Sequence, residues 1–460
     1  MSRNIHKKNL NQSSKNLKKY FYWSVATIFL KILIIVNIEP FRIGLSDTKF
    51  LDVSSIWLGS DGENYLKGYQ ALVNDGLLSQ DSLLNFWPAG YPLLILFLSL
   101  LTKSFFLGAL SLLQSVIFSF SVYFLAMQLL KTRLKNFVPI IFILLIFNPT
   151  LSLSSLVLGY ESLTASGFII CLAIIVKDII EKNDKNFKKY LFANSLIFSF
   201  ISFLQPRLIV SGIIFNIFWI IFRKGLKSGL VLILISVTLT LALPSTLVYR
   251  NNLALGIKSI STNLGATMII GAGDNSKGDY THNDSGLVCN TYGSISQQDS
   301  QKVKCVLNWY VSNPSYSAQL FLNKSIYFWS PWSGPIANGT TARNPWLKIS
   351  PVMDIATSAD GFKLVTGSVG KGISWVWLIS SVFLMFFGFF RLWAAGSIEK
   401  FIALTSILVI TANWGISLVT IGDHRFRIPI MGLSLLLQAV GIRSIFVRNK
   451  ADMVDGSALR

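Results

Sequence analysis

An all-helical, polytopic membrane protein is the fold class this sequence predicts, and three observations predict it. Of 460 residues, 52% are hydrophobic and 13% are charged, which is too apolar and too sparsely charged for an ordinary soluble domain. Apolar stretches near membrane-crossing length, about 20 residues each, recur from Tyr20 to Val447. The basic residues that give a net charge of +20 sit in short segments between those stretches and form no basic domain. That is the pattern of positive-inside orientation, so no nucleic-acid partner is expected.

Segment 1–19 carries Arg3, Lys7, Lys8, Lys15, Lys18 and Lys19 and reads as cytoplasmic. The apolar stretch from Tyr20 to Ile38 ends in Asn37-Ile38-Glu39-Pro40-Phe41 with no small-residue cleavage pattern, so it reads as a first span rather than a removed leader. Loop 39–104 then lies outside. Within it, Tyr91 to Leu101 reaches only about 16 Å as a helix, half the hydrocarbon core. If it crossed, the helix from Phe105 to Leu130 would deliver Lys131, Arg133 and Lys135 to the outer side, against the charge bias. The short stretch is therefore expected in the outer leaflet, with 105–130 as the second span.

Further spans are expected at 137–158, 162–180, 190–204, 208–222, 228–249, 372–393, 400–421 and 428–447. This divides the chain into a transmembrane core 20–249, an extracytoplasmic domain 250–371, C-terminal spans 372–447 and a cytoplasmic tail 448–460, with about ten crossings. Cys171 lies in a span. Cys289 and Cys305 share the polar domain, where a disulfide forms if that domain faces an oxidising compartment.

The polar residues sent to the outer face carry the functional signal. Ser60 and Glu63 have capping-box spacing for a helix running to Gly76, with Tyr65, Tyr69, Leu72 and Val73 as its apolar side. Asp61 and Glu63, two residues apart, cannot share a helical face. Glu161, Arg207, Arg250, Asp423, His424, Arg425 and Arg427 arrive at the same side from distant loops. Two arginines in a short outer loop oppose the bias that orients the other helices. Pro429 suits the first turn of the last helix, whose free N–H groups beside these arginines would suit a phosphate. Structural alternatives stand beside these readings: Glu161 as a helix-start acid, Arg207 and Arg250 as interfacial anchors, and the loop arginines and Lys31 as snorkelling side chains. The Trp- and Tyr-rich stretch 307–329, with Lys324, reads as an interfacial helix. No zinc spacing or Walker loop is present.

Asp61 with Tyr65, Trp87-Pro88-Ala89-Gly90-Tyr91-Pro92 before a half-length apolar segment, and His424-Arg425-Phe426-Arg427-Ile428-Pro429 opening the last span together resemble the GT-C superfamily of membrane glycosyltransferases. They look most like the family 39 branch, which includes protein O-mannosyltransferases and the aminoarabinose transferases of lipid A. Arg250-Asn251 before a Gly-rich loop is a further similarity. The chain departs in having Asp61-Gly62-Glu63 where many relatives carry adjacent acids, and in placing Trp87 before Pro88. The first departure leaves the base open between Asp61 and Glu63.

The resemblance implies inverting transfer of a sugar from a polyprenyl-phosphate carrier to a glycan, lipid or protein acceptor at the outer face, in a bacterial plasma membrane. Asp61 or Glu63 would be the base, with Tyr65, Glu161, Arg207 and Arg250 near substrate. His424, Arg425 and Arg427 would hold the lipid phosphate, and the half-helix with Trp329 and Trp332 would line the polyprenyl groove. The resemblance names no certain cofactor and leaves open a divalent cation beside Glu161. The alternative is a transporter or flippase for a lipid-linked or anionic solute, which should carry charges at mid-membrane on broken helices. Lys31 is the clearest ionisable residue deep in a span.

Overall fold

The computed structural model describes residues 2–37, 61–279, 285–330 and 368–446, and among these every regular element is helical. In chain order they are α1 (Ser2–Asn37), α2 (Gly62–Asp75), α3 (Leu83–Phe86), α4 (Gly90–Thr102), α5 (Phe106–Leu129), α6 (Val138–Ile146), α7 (Pro149–Leu153), α8 (Glu161–Glu181) and α9 (Asp184–Leu204). Then come α10 (Ile209–Lys224), α11 (Leu226–Leu255), α12 (Leu264–Ile270), α13 (Ile295–Ser312), α14 (Pro314–Trp329), α15 (Ser368–Trp393), α16 (Ser397–Val419) and α17 (Met431–Phe446), with a 3-10 helix His424–Ile430 leading into α17. Among the described residues, eight helical stretches are long and apolar enough to cross a membrane, and α6 with α7 makes a ninth if the bent pair is counted as one.

The apolar run 90–129 is not a single rod. Lys103 adopts φ 52° at the end of α4, and the Tyr91 hydroxyl lies 3.2 Å from the Gln114 side-chain oxygen. A straight helix would separate those residues by about 35 Å. Helix α4 therefore folds back along α5 as a half-length partner of about 20 Å. Its buried residues Tyr91, Ile95 and Leu98 pack with Phe106, Leu107 and Leu110.

Two expected spans take a different form. The stretch 137–158 is bent by 52° between α6 and α7, where Pro149 has no N–H to give and the Asn148 side chain caps the Leu151 amide at 2.9 Å. Helix α9, expected only over 190–204, has 21 residues, about 31 Å. Its lysine-rich first turns hide that length from a hydropathy reading. It runs antiparallel to α10, with Phe187 5.2 Å from Trp219 at one end and Phe198 5.2 Å from Phe215 further along. Between them Asn194 donates to Asn216 at 3.2 Å, while Asn216 and Ser195 both meet Ser236 of α11, at 3.0 and 2.8 Å. Such interhelical bonds are worth about 0.6 kcal/mol each in a membrane and let polar residues sit inside a helix bundle.

The helix ends sort into two sets. Loops 130–137 and 394–396 meet where Arg133 donates to the Ala395 carbonyl at 2.9 Å, and Arg223 pairs with Asp178 at 2.9 Å across α8 and α10. Loops 157–160, 205–208 and 420–430, with the helices of 256–330, lie at the other end. There Cys289 and Cys305 are disulfide-bonded; Cys171 is free and buried in α8. Lys31 does not reach an interface: its side chain is buried, with the ammonium 4.6 Å from the Phe118 ring centre.

Helices α15 and α17 cross at two glycines. A Cβ on Gly388 would lie 1.9 Å from the Leu437 carbonyl oxygen, and one on Gly441 2.3 Å from that of Leu384. Small residues let backbones approach in a membrane, where packing rather than water expulsion drives association. Gly388→Ala should cost about 1–3 kcal/mol and lower the thermal midpoint of the detergent-solubilised protein. An unchanged midpoint would show that the two helices separate without penalty.

Candidate functional site

Three segments far apart in sequence meet around one guanidinium. Arg425, at the start of the 3-10 helix, donates through Nε to Glu161 and through a terminal nitrogen to Asp61, while Tyr160 presents its ring at 5.3 Å. The side chains of Arg425, Glu161 and Asp61 are only 7, 10 and 15% exposed. Two carboxylates and one arginine leave a net charge of −1 in a desolvated place. Arg207, near enough to interact electrostatically with Arg425, Asp423 and Glu161, adds a second cation to the cluster. Burial at this cost is tolerated when the geometry is good and the remaining polar atoms are bonded.

Local structure explains how each group arrives. Asp61 occupies the N-cap of α2, yet its carboxylate makes no capping hydrogen bond there and turns to Arg425 instead. Ser60, expected to cap this helix, lies outside the described residues. Glu63 points the other way: it pairs with Lys67 at 2.6 Å with 63% of its side chain exposed. Tyr65, Leu66 and Leu72 are buried on the inner face of α2, whereas Val73, expected on that face, is exposed. Glu161 opens α8, where the helix dipole favours an acid. Gly159 makes room for it, since a Cβ there would sit 2.2 Å from a Glu161 oxygen.

The floor beneath the acids is a hydrogen-bonded relay that was not expected from the sequence. The Tyr91 hydroxyl accepts from the Gly159 amide at 2.9 Å and donates to Gln114. The Gln114 amide donates to the carbonyls of Ser155 and Val157, both at 3.1 Å. This fixes the turn before Glu161 against α4 and α5. The rings of Tyr65 and Tyr91 are 4.9 Å apart, so the half-helix and α2 share this wall. Burial first, and then Asp61, push the Tyr65 hydroxyl well above its usual range, and burial raises Tyr160 as well.

His424, Arg425 and Arg427 do not converge on one point. In a 3-10 helix, residues two apart are turned by about 120°. Arg425 faces the acids. Arg427 faces α14, donating to the carbonyls of Trp329 at 2.7 Å and Ser330 at 3.1 Å. His424 lies 3.3 Å from Asp423, whose carboxylate also caps the Arg425 amide at 2.9 Å. Arg207 stacks on the Phe426 ring at 3.7 Å and donates to the Phe426 carbonyl at 3.1 Å, and its Nε has no hydrogen-bond partner. Arg250, within α11, is set apart: it holds the carbonyls of Leu77 and Ser79 after α2 and so anchors the helix that carries Asp61. Trp332 lies outside the described residues.

Lys324 is buried rather than interfacial. Its ammonium donates to the Tyr310 hydroxyl and to the Leu418 and Thr420 carbonyls at 2.7, 2.9 and 2.7 Å, and Tyr310 donates to Val419 at 3.1 Å. These bonds satisfy the last carbonyls of α16 and set where 421–425 begins. The lysine-rich charge pattern gave no hint of this, because a lone Lys on an aromatic helix reads as surface. Among the described residues no three His, Cys, Asp or Glu side chains gather as metal ligands, and Arg425 fills the space between Asp61 and Glu161.

Replacing Arg425 by Met leaves two buried carboxylates without their cation and should cost about 3–5 kcal/mol, read as a fall in thermal midpoint; a stability equal to wild type would mean the ion cluster does not form. Burial pushes Lys324 down to about 7 from an ordinary 10.5. The unfolded chain then holds more protons between those values, so this residue makes stability rise with pH across the window. Lys324→Met should show a flatter rise than wild type, and superimposable pH profiles would contradict this.

Compared with known proteins, the chain matches no family model, no curated protein and no solved structure.

Proposed function

We propose that this protein is a GT-C type membrane glycosyltransferase, moving a sugar from a polyprenyl-phosphate donor to a lipid, glycan or protein acceptor at the extracytoplasmic face. The observation that carries the reading is the meeting of Asp61, Glu161 and Arg425 at one end of an apolar helix bundle. Chemistry confined to one membrane face needs a carboxylate and a cation held together, and loops separated by hundreds of residues bring them there.

In the proposed reaction the acceptor hydroxyl oxygen attacks the sugar C1 while Asp61 takes its proton. The C1–O bond to phosphate breaks, the electron pair leaves on the phosphate, and the configuration at C1 inverts. Asp61 is tied to Arg425 and is not a free base in this arrangement. An incoming phosphate competes for the same guanidinium, which releases the carboxylate at the moment a base is needed. Arg425, with the unpartnered Nε of Arg207 nearby, then faces the charge that grows on the departing phosphate. Glu63, exposed and paired with Lys67, is the weaker candidate for the base. Buried Tyr65 packs beside Asp61 as part of the wall.

Orientation rests on charge and redox. The lysine- and arginine-bearing loops gather away from the acids, which suits a cytoplasmic side. The Cys289–Cys305 disulfide lies in the domain on the side of the acids, which suits an oxidising compartment. Counting α9 and the bent α6–α7 pair gives ten crossings with both termini cytoplasmic, in the plasma membrane of a bacterium by resemblance.

One observation favours transport. Lys31 is buried within α1 with no hydrogen-bond partner for its ammonium, as a charge on a solute path would be. Sugar transfer measured on the reconstituted protein, by mass analysis of donor consumed and product formed, separates the two. Asp61→Asn should lower turnover by about 10²–10⁴-fold and Lys31→Met should leave it near wild type. Full transfer by Asp61→Asn would remove the base assignment.

A further inference from the structure

On the side of the 3-10 helix away from the acids, Arg427 borders a second polar feature in an apolar setting. A partly open cleft of about 30 Å³ is lined by Asn148 and Thr150 at the α6–α7 bend, Ser381 of α15, and Arg427, Ser434 and Gln438. That volume exceeds the space of about 10–15 Å³ that one water needs, and the cleft is open on one side. Six polar side chains from four separate segments around one space is not what lipid-exposed helices present.

The charge in this cleft is uncompensated. Arg427 is 5% exposed, and its two hydrogen bonds end on the neutral carbonyls of Trp329 and Ser330, with the Trp329 ring centre 5.5 Å from the guanidinium. Among the described residues no carboxylate pairs with it, in contrast to Arg425, which has two. The 3-10 helix runs straight into α17 there, and the Met431 amide already donates to the Ile428 carbonyl, so the positive charge of the cleft is that of Arg427. A buried cation in a membrane protein is held by an anion or by water, and here the polar donors for an anion are already assembled. The Asn148 side-chain oxygen is used on Leu151, which leaves its amide N–H groups as donors. Gln438 is half-buried on the wall.

We propose that this cleft binds the phosphate of a membrane lipid, with Arg427 supplying the charge and the Asn148 and Gln438 amides the orienting hydrogen bonds. The mouth decides between a lipid and a soluble anion. Trp377 of α15 lines the cleft, and Val376, Ile379 and Phe383 continue the same helix as exposed apolar surface. Acyl chains would lie on that surface while the headgroup enters the cleft. The site is separate from the Asp61–Arg425–Glu161 cluster and does not depend on sugar transfer.

Native mass spectrometry of the full chain, titrated with phosphatidylglycerol in detergent, tests this. Wild type should retain one lipid that Arg427→Gln binds about tenfold more weakly, the value of one charge-assisted hydrogen bond. Because Arg427 also ties down Trp329 and Ser330, Gln438→Leu is the second variant: it leaves those bonds intact and should weaken retention several-fold. Inorganic phosphate, lacking the chains, should displace the lipid only at far higher concentration. Equal lipid retention by wild type and Gln438→Leu would overturn the proposal, and so would inorganic phosphate competing as tightly as the lipid.

Discussion

A buried arginine shared by two carboxylates is the constraint around which the rest of this structure is arranged. An isolated charge in a bundle of apolar helices is expensive, and one arginine between Asp61 and Glu161 still leaves a negative excess, which the neighbouring Arg207 reduces. Each participant sits at a helix start or a loop, the places in a membrane bundle where a charged side chain can be supplied without breaking a span. The surrounding architecture positions those starts: Arg250 ties down the end of α2, the Tyr91–Gln114 relay fixes the turn before α8, and Lys324 with Tyr310 caps α16. Remove any one of these and a charged group loses its register, not merely its packing.

The half-length helix α4 belongs to the same logic. Were α4 and α5 continuous, Tyr91 would lie far from Gln114 and Gly159. Folding back at Lys103 lets a short apolar helix close one side of the site while α5 crosses fully. Gln114 lies eight residues below the start of α5, about 12 Å down its axis, so the acids sit in a recess rather than on an open surface. A recess of this kind strengthens electrostatic interactions and excludes competing water.

Much of this was legible in the residues. The shortness of Tyr91–Leu101 and the sign of the loop that follows α5 together required a segment that does not cross. The two-residue spacing of Asp61 and Glu63 separated them onto different faces, and the arginines of 423–427, set against the charge bias of the other loops, marked a segment in need of a partner. What was not legible came from tertiary override. The segment His424–Ile430 is a 3-10 helix, so Arg425 and Arg427, which read as one phosphate cradle, face different neighbours. Lys324 and Lys31 read as surface or snorkelling residues because sequence carries no information about which carbonyls or rings lie across a helix interface. Helix α9 was shortened by its own lysines, whose charge masks a full-length helix that α10 and α11 hold through side-chain amides and hydroxyls.

The most direct test of the central claim is a double-mutant cycle on unfolding free energy, using Asp61→Asn, Arg425→Gln and the combination in the purified full chain. A buried charge pair in contact predicts a coupling of about 1–3 kcal/mol, with the double variant losing far less than the sum of the singles. Strict additivity, within about 0.5 kcal/mol, would mean that Asp61 and Arg425 do not touch, and would contradict the account at its root.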